Sequence, residues 1–206
     1  MVDLKSMTKK EKVEYIWDYY KLHIIGCILL LGIIASIIYG QVTKIDYVVN
    51  VTMIGSVVEE SKKEELEKKL TSLVIKEGQK KKEAFVEAIP TNKSEIGYQM
   101  MQKFVIKVAA GEIDVVILDK ELFDSYVKQD IFLPLNTIDE ISLDSFKQEK
   151  IEASGSGEKA VYGISAEGSN ILNDIGVDTK DKVIGIAASS KHRGNAILVL
   201  REFLNK

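Results

Sequence analysis

Polar side chains that follow predicted strands are the residues of this sequence best placed to bind a ligand. In an open α/β sheet, ligands bind outside the carboxyl ends of the strands. The candidate ligand-binding residues at such positions are Ser56, Thr91, Asn92, Asp119 and Ser165. Each also has a purely structural interpretation, because Asn and Asp cap helices and Ser and Thr hydroxyls occur in turns. The sequence leaves both hypotheses open.

Catalytic and metal-binding patterns are weak. The two histidines, His23 and His192, lie far apart with no second ligand at metal spacing. The single cysteine, Cys27, excludes a disulfide framework and a thiolate metal site. His192 is expected in a charged, exposed turn, so no Ser-His-acid set is predicted. The Ser154–Lys159 loop lacks the GxxxxGK[ST] pattern of a nucleotide site. We therefore expect a protein that is not an enzyme and uses no metal or cofactor.

The charge of the chain excludes nucleic acid as an expected partner. The 206 residues carry a net charge of −3. The first 40 residues hold five lysines and four acids, a net of +1, so the remainder carries −4. Neither part has the strongly basic surface that phosphate backbones require.

An uncharged apolar run from Leu22 to Gly40 predicts a transmembrane helix. Its length gives a helix of about 28 Å, close to the thickness of a bilayer core. A cleaved signal peptide and a buried core helix are the alternatives, but the run is long for the first and apolar on all sides for the second. Lysines precede the run and only Lys44 follows closely, which predicts a cytoplasmic amino terminus. The predicted membrane-interface residues are Trp17, Tyr19, Tyr20, Lys21 and Tyr39.

The segment before the apolar run is amphipathic. One helical face carries Val13, Ile16, Trp17 and Tyr20. Either this helix lies in the lipid headgroup layer, or it docks a cytoplasmic or membrane partner. We thus divide the chain into a cytoplasmic juxtamembrane helix (1–21), a transmembrane helix (22–40) and an extracytoplasmic domain (41–206) at the cell membrane.

The extracytoplasmic segment alternates strands with amphipathic helices. Strands are predicted at Tyr47–Ile54, Ala84–Ile89, Ile113–Leu118, Val161–Ile164 and Val183–Ala187. Helix starts are predicted at a Ser61 capping box, around Asn92 and at an Asp119 cap, with stops at Gly78 and Gly111. A closing helix is predicted at Asn195–Leu204. This alternation predicts an α/β fold, a doubly wound sheet of parallel strands covered on both faces.

Three segments resemble bacterial extracellular solute-binding proteins of ABC importers. They are AAGEIDVVILDKELFDSYVKQDIFLPL (109–135), YGIS (162–165) and SSKHRGNAILVLREFLNK (189–206). The resemblance covers most of residues 45–206. It implies a periplasmic-binding-protein type of fold and an association with an ABC transporter.

The chain departs from that family in one large respect. Those receptors close two lobes over a solute, whereas only about 25 residues separate Leu135 from Val161, too few for a second lobe. We therefore expect a single lobe that acts as an interaction or scaffold subunit of a cell-envelope complex, with a protein partner in or outside the membrane. The alternative is a membrane-tethered module that binds or senses a small-molecule solute.

Overall fold

The structure is a computed structural model that describes residues 8–75, 79, 81–90, 95–155 and 159–205. The chain divides into two compact units, Met1–Lys44 and Ile45–Lys206. The predicted site residues Thr91 and Asn92 and the predicted helix stop Gly78 lie outside the described residues.

The first unit contains one long helix, α1, from Lys9 to Thr43. From Lys9 onward, the predicted juxtamembrane and transmembrane segments are therefore parts of one continuous helix. Its segment Trp17–Thr43 is long and apolar enough to cross a membrane, and none of its most apolar window is buried inside the protein. The five predicted membrane-interface residues, Trp17, Tyr19, Tyr20, Lys21 and Tyr39, all lie on this helix with exposed side chains.

The second unit alternates strands and helices through most of its length. Its described elements are β1 (Asp46–Ile54), α2 (Glu60–Val74), β2 (Lys82–Ile89), α3 (Glu95–Ala109), β3 (Val115–Asp119), α4 (Lys120–Val127), β4 (Lys150–Ser154), β5 (Lys159–Ser165), α5 (Asn170–Asp174), β6 (Lys182–Ile186) and α6 (Arg193–Leu204). The predicted strands and helices are found within a few residues of these bounds. The strand β4 was not predicted.

The described strands form one mixed sheet in the order β2-β1-β3-β6-β5-β4. β1 pairs in parallel with β2 and β3. β6 is antiparallel to both β3 and β5, so β5 runs parallel to β3. β4 is antiparallel to β5. The prediction of a purely parallel sheet is therefore wrong, because β4 and β6 run against the other four strands.

Helices cover both faces of the sheet, as the uniformly apolar β3 predicts. On one face, Val115 and Ile117 of β3 join a buried cluster that includes residues of α2, α5 and α6. On the other face, Val116 and Leu118 join a cluster with residues of α3 and α4. Each face buries alternate residues of the same strand, which explains why β3 shows no polar alternation.

Two glycines on neighbouring strands make room for a pair of aromatic rings. Gly163 of β5 lies opposite Gly185 of β6. The rings of Phe123 and Phe132 stack with centroids 4.5 Å apart. A Cβ on Gly163 would approach Phe123 Cζ to 2.7 Å, and one on Gly185 would approach Phe132 Cδ1 to 2.8 Å. The glycines are therefore required for close packing of this face.

Two predicted helix caps have other roles in the structure. α2 begins at Glu60 with Glu59 at its N-cap, and Ser61 Oγ donates to Glu59 Oε1 instead of capping the helix. Acidic residues at a helix start suit the partial positive charge there, which accounts for the earlier start. Asp119 does occupy the N-cap position of α4, but its side chain makes no capping hydrogen bond.

The outer side of strand β2 is covered by α2. β2 stands at one end of the strand order, so part of its backbone faces away from β1. The N–H of Ala84 donates to Thr71 Oγ1 and the N–H of Val86 donates to Glu67 Oε1, each at 2.9 Å. Side chains of one helix thus satisfy donors that another strand would otherwise use.

Candidate functional site at the carboxyl end of the sheet

The carboxyl ends of the parallel strands meet at one end of the sheet, which we call the carboxyl end. β1 leaves it through Gly55, whose N–H donates to the carbonyl of Ile89 at the end of β2. β3 ends there at Asp119 and β5 ends there at Ser165. The antiparallel strand β6 begins at the same end with Lys182, which lies opposite Asp119. The structure therefore brings Ser56, Asp119 and Ser165 to the same end of the sheet, as predicted.

Lys182 occupies the centre of the carboxyl end. Its side chain is only 4% exposed. Lys182 Nζ lies 2.8 Å from Asp119 Oδ1 and 3.3 Å from the carbonyl oxygens of both Ile54 and Gly55. One ammonium group therefore ties together the ends of β1 and β3 and the start of β6.

These contacts use the full donor capacity of the lysine. An ammonium group has three N–H donors, and Lys182 has three acceptors at hydrogen-bonding distance. A buried cation is tolerated when it is paired and hydrogen-bonded, which this arrangement provides. The ammonium group of Lys182 thus occupies the position at which open α/β sheets bind ligands.

Among the predicted site residues that the structure describes, Ser56 is the one with an unsatisfied buried group. Its side chain is 5% exposed, and its Oγ has no hydrogen-bond partner among the described residues. Such a hydroxyl costs free energy when it is desolvated without compensation. The next residue, Val57, is 82% exposed and presents a branched apolar side chain to solvent beside this buried hydroxyl.

Ser165 lies beside a polar cavity of about 350 Å³. Its Oγ accepts a hydrogen bond of 3.2 Å from the N–H of Glu167, which is the turn role left open for it by the sequence. The described residues that line this cavity are Lys147, Gln148, Glu149, Ser165, Glu167 and Gly168. The cavity is as large as those that bind small molecules, but its lining is polar where such sites are mainly apolar.

A second polar cluster, centred on Asp114, lies just before β3, at the opposite end of that strand. The fully buried carboxylate of Asp114 accepts hydrogen bonds from the N–H of Asn50 at 2.8 Å and from Ser190 Oγ at 2.6 Å. His192 donates its N–H at 3.2 Å and places Nδ1 3.1 Å from Asp114 Oδ2. His192 is therefore only partly exposed, where the sequence predicted an exposed turn.

This cluster contains the three residue types of a catalytic triad but not their geometry. A triad needs the serine hydroxyl beside the imidazole, which takes its proton. Ser190 instead donates to the same carboxylate that His192 contacts. Asp114 therefore serves as a common acceptor that fixes residues 190–192 to the strands. No group of three potential metal ligands among His, Cys, Asp and Glu occurs in the part of the chain that the structure describes.

Comparisons with known proteins identify no relative. The chain matches no protein-family model, no curated protein sequence and no solved structure.

Proposed function

We propose that this chain is a single-pass membrane protein whose domain Ile45–Lys206 acts as an interaction subunit of a bacterial cell-envelope complex. The domain is proposed to be one lobe of the solute-binding fold, without the second lobe that closes over a solute. The amino terminus would be cytoplasmic and the domain extracytoplasmic, because five lysines precede the apolar segment and only Lys44 follows closely.

Saturation of Lys182 is the observation that carries this proposal. A receptor needs free donors or acceptors at the carboxyl ends of its strands to recognise a solute. Here the three N–H groups of Lys182 are committed to Asp119 and to two backbone carbonyls. An interaction subunit needs only a rigid surface at this position, and the lysine supplies the rigidity.

The order and direction of the strands support the assignment of a single lobe. Four strands run in parallel, and β6 is inserted in reverse between β3 and β5. An antiparallel strand within an otherwise parallel sheet is expected where the chain leaves a lobe and later returns to it. The interval between Leu135 and Val161 contains two short 3-10 turns and β4 and continues into the start of β5, which is too little for a second lobe.

Exposed apolar side chains occur at two places, singly at Val57 and as a group on α1. Val57 projects from the carboxyl end of the sheet. On α1, Val13, Trp17 and Tyr20 are exposed on the face predicted to be apolar. Large exposed apolar groups on a soluble surface mark interaction sites when they cluster. We propose that Val57 contacts an extracytoplasmic protein and that the face of α1 contacts one in or beneath the membrane.

A membrane-tethered module that binds or senses a solute is the second candidate. The cavity of about 350 Å³ beside Ser165 favours it. A solute there would meet polar groups from Gln148, Glu149 and Glu167. Such a module would associate with an ABC transporter.

We further propose that the domain is not an enzyme. The Asp114 carboxylate and His192 imidazole are adjacent, but the hydroxyl of Ser190 donates to the acid. At the carboxyl end, Lys182 has no unpaired donor with which to stabilise developing negative charge.

The test is site-specific photo-crosslinking of the full-length protein in its own membrane. A photoreactive residue at Val57 is compared with one at Ile106, which is 68% exposed and lies on α3. We expect one discrete protein adduct from position 57 and none from position 106. The same partner must co-purify with unmodified protein in a fixed ratio, and the Val57→Asp variant must lose it.

A thermal-shift panel of amino acids, sugars, peptides and polyamines decides against the proposal if one class stabilises the protein. A solute at about 100 times its dissociation constant adds roughly 2.7 kcal/mol to the free energy of unfolding. The decisive result is a Ser165→Ala variant that unfolds like the parent without the solute but is not stabilised by the solute. That result would establish the solute-binding alternative.

A further inference from the structure

The amino ends of β1 and β2 carry a patch of aromatic, apolar and basic side chains, which we call the amino-end patch. It consists of Ile45, Tyr47, Lys81, Lys82 and Phe85. The rings of Tyr47 and Phe85 have centroids 5.1 Å apart, and Ile45 and Tyr47 are each 39% exposed. Lys81 and Lys82 adjoin them, because the N–H of Asp46 donates to the Lys81 carbonyl and Asp46 lies opposite Lys82.

Tyr47 is exposed because it lies at the amino end of β1, before the part of the strand that is covered on both faces. The first two residues of β1 are exposed, whereas Val48 to Ile54 are buried with the exception of the half-buried Asn50. The register of the β1–β2 pairing also shifts between Tyr47 and Val49. The ring of Tyr47 therefore lies beside that of Phe85 with part of its surface exposed.

Covalent geometry limits how far this patch can lie from the end of α1. α1 ends at Thr43, and β1 begins at Asp46. Tyr47 is four residues beyond Thr43, so the chain allows about 14 Å between them at full extension. The apolar segment Trp17–Thr43 has 27 residues. As a helix it rises about 40 Å, enough to cross the hydrocarbon core and reach into both headgroup layers.

The residue types of the amino-end patch match the chemistry of that headgroup layer. Tyrosine has an apolar ring and a polar hydroxyl, and such residues concentrate at membrane interfaces. Lysines reach lipid phosphates while their stems lie along apolar surface. The exposed acids Asp46 and Glu83 oppose this charge. With Lys44, three lysines and two acids leave a net charge of +1. Apolar contact therefore contributes more than electrostatic attraction.

We propose that the amino-end patch rests in the phospholipid headgroup layer of the membrane that α1 crosses. Tyr47 and Phe85 insert their rings at the level of the glycerol backbone, and Lys81 and Lys82 face lipid phosphates. The domain would then stand on the membrane by the amino ends of its strands, and Val57 would project away from it. This inference requires insertion of α1 and does not depend on the proposed interaction function.

The chain's single tryptophan makes a direct test practical. In a Trp17→Phe background, Tyr47→Trp and Val57→Trp variants of the full-length protein are reconstituted into phosphatidylcholine–phosphatidylglycerol vesicles. Two sets of vesicles are compared, one with brominated acyl chains and one without bromine. We expect brominated lipid to quench the Tyr47→Trp variant by roughly half and to leave the Val57→Trp variant unchanged. Val57 is a suitable control because it follows the far end of β1, and the strand from Tyr47 to Ile54 is about 23 Å long.

Two further measurements keep the test decisive. The parent protein, with Trp17 in place, must itself be quenched, which shows that α1 is inserted. A Phe85→Trp variant repeats the measurement at the neighbouring ring, in case Tyr47→Trp perturbs the fold. Quenching of Trp17 without quenching at either position 47 or 85 would overturn the proposal. Equal quenching at positions 47 and 57 would also overturn it, because the domain would then lie on its side.

Discussion

Lys182 and Asp119 lie opposite each other on β6 and β3, and their side chains form an ion pair of 2.8 Å. The lysine side chain is buried, whereas the carboxylate is 45% exposed. The pair therefore joins an interior cation to a partly solvated anion. The same ammonium also donates to the carbonyl oxygens of Ile54, the last residue of β1, and of Gly55. One side chain therefore holds the ends of two neighbouring parallel strands.

Replacement of this lysine is expected to destabilise the domain substantially. The Lys182→Met variant keeps most of the side-chain volume but leaves the carbonyls of Ile54 and Gly55 without their donor. Breaking a buried pair costs about 3–5 kcal/mol, and solvation of Asp119 reduces this to about 2–3 kcal/mol. Urea unfolding of the full-length protein in detergent, followed by circular dichroism, measures the change.

Lys120→Met is the matched control. Lys120 forms an exposed pair of 3.5 Å with Glu149, and removal of such a pair costs less than about 1 kcal/mol. The double variant with Asp119→Asn should show a coupling of about 1–2 kcal/mol with Lys182→Met. If Lys182→Met were as stable as Lys120→Met, the lysine would have no part in holding the strand ends.

Ser56→Ala is expected to leave stability unchanged or raise it by up to about 1 kcal/mol. The buried Oγ has no described partner, so its removal relieves an uncompensated desolvation cost. Thermal unfolding of the parent and the variant provides the comparison. Ser169→Ala is the contrasting substitution, because Ser169 Oγ caps α5 by accepting from the N–H of Leu172, and its loss should cost about 1 kcal/mol. A large loss from Ser56→Ala would show that the hydroxyl has a partner in solution.

Asp114→Ala is expected to cost about 2–4 kcal/mol, because it removes a buried acceptor that serves several donors. The N–H groups of Asn50 and His192 and the hydroxyl of Ser190 would lose their partner. Amide hydrogen exchange should accelerate at residues 190–192 before it changes elsewhere. Asp144→Ala, at an exposed position, serves as the control and should change stability by less than about 0.5 kcal/mol. An equal acceleration of amide exchange at all residues of the domain would contradict a local anchoring role for Asp114.

Glu67→Ala is expected to expose the outer side of β2. The N–H of Val86 would lose its acceptor on α2, at a cost of about 1–2 kcal/mol. A second substitution, Thr71→Val, removes the acceptor of the Ala84 N–H and should act in the same direction. Exposed edge strands pair with other chains, so the double variant should self-associate in detergent. Light scattering detects this, with Glu65→Ala as the exposed control on the same helix.

Val57→Asp is expected to leave the free energy of unfolding within about 0.5 kcal/mol of the parent, because the side chain is solvated. The same substitution should abolish the proposed protein contact at the carboxyl end, since burying an unpaired carboxylate in an interface is costly. Co-purification from native membranes measures the contact. Retention of the partner by a folded Val57→Asp protein would place the contact elsewhere on the domain.

The elements of the domain could be predicted largely because their signals are local. β1 and β3 are recognisable from runs of buried branched residues, and α6 from its apolar spacing. The direction of β6 could not be predicted, since an apolar run is the same whether it pairs in parallel or in reverse. Strand β4 escaped prediction because KIEAS has few apolar residues and buries only Ile151 fully.

The structure places Ser56, Asp119 and Ser165 at the carboxyl end of the sheet, as predicted, because parallel strands bring these ends together. Their role in binding a ligand stays a prediction. Lys182 was missed because a lysine before an apolar strand usually marks a solvated end. Its burial follows from pairing with Asp119, which is 63 residues away in sequence. His192 was misjudged for the same reason, since Asp114 lies 78 residues away.

The glycine pair of β5 and β6 had no distinct sequence signal. In the sequence, Gly163 and Gly185 cannot be distinguished from other small residues. The strand register shows that they lie opposite each other, against the rings of Phe123 and Phe132. Phe104, Phe123 and Phe132 are buried in the core, whereas Phe85 is only partly buried. Phe85 instead contributes to the amino-end patch.

The buried lysine also determines how the domain responds to its surroundings. A domain that binds a solute gains stability by mass action, so its lifetime rises and falls with the concentration of that solute. Lys182 acts as a permanently bound cation, covalently attached and therefore always at saturation. The occupancy of this position therefore does not depend on the concentration of any diffusible cation, unlike that of a bound metal ion.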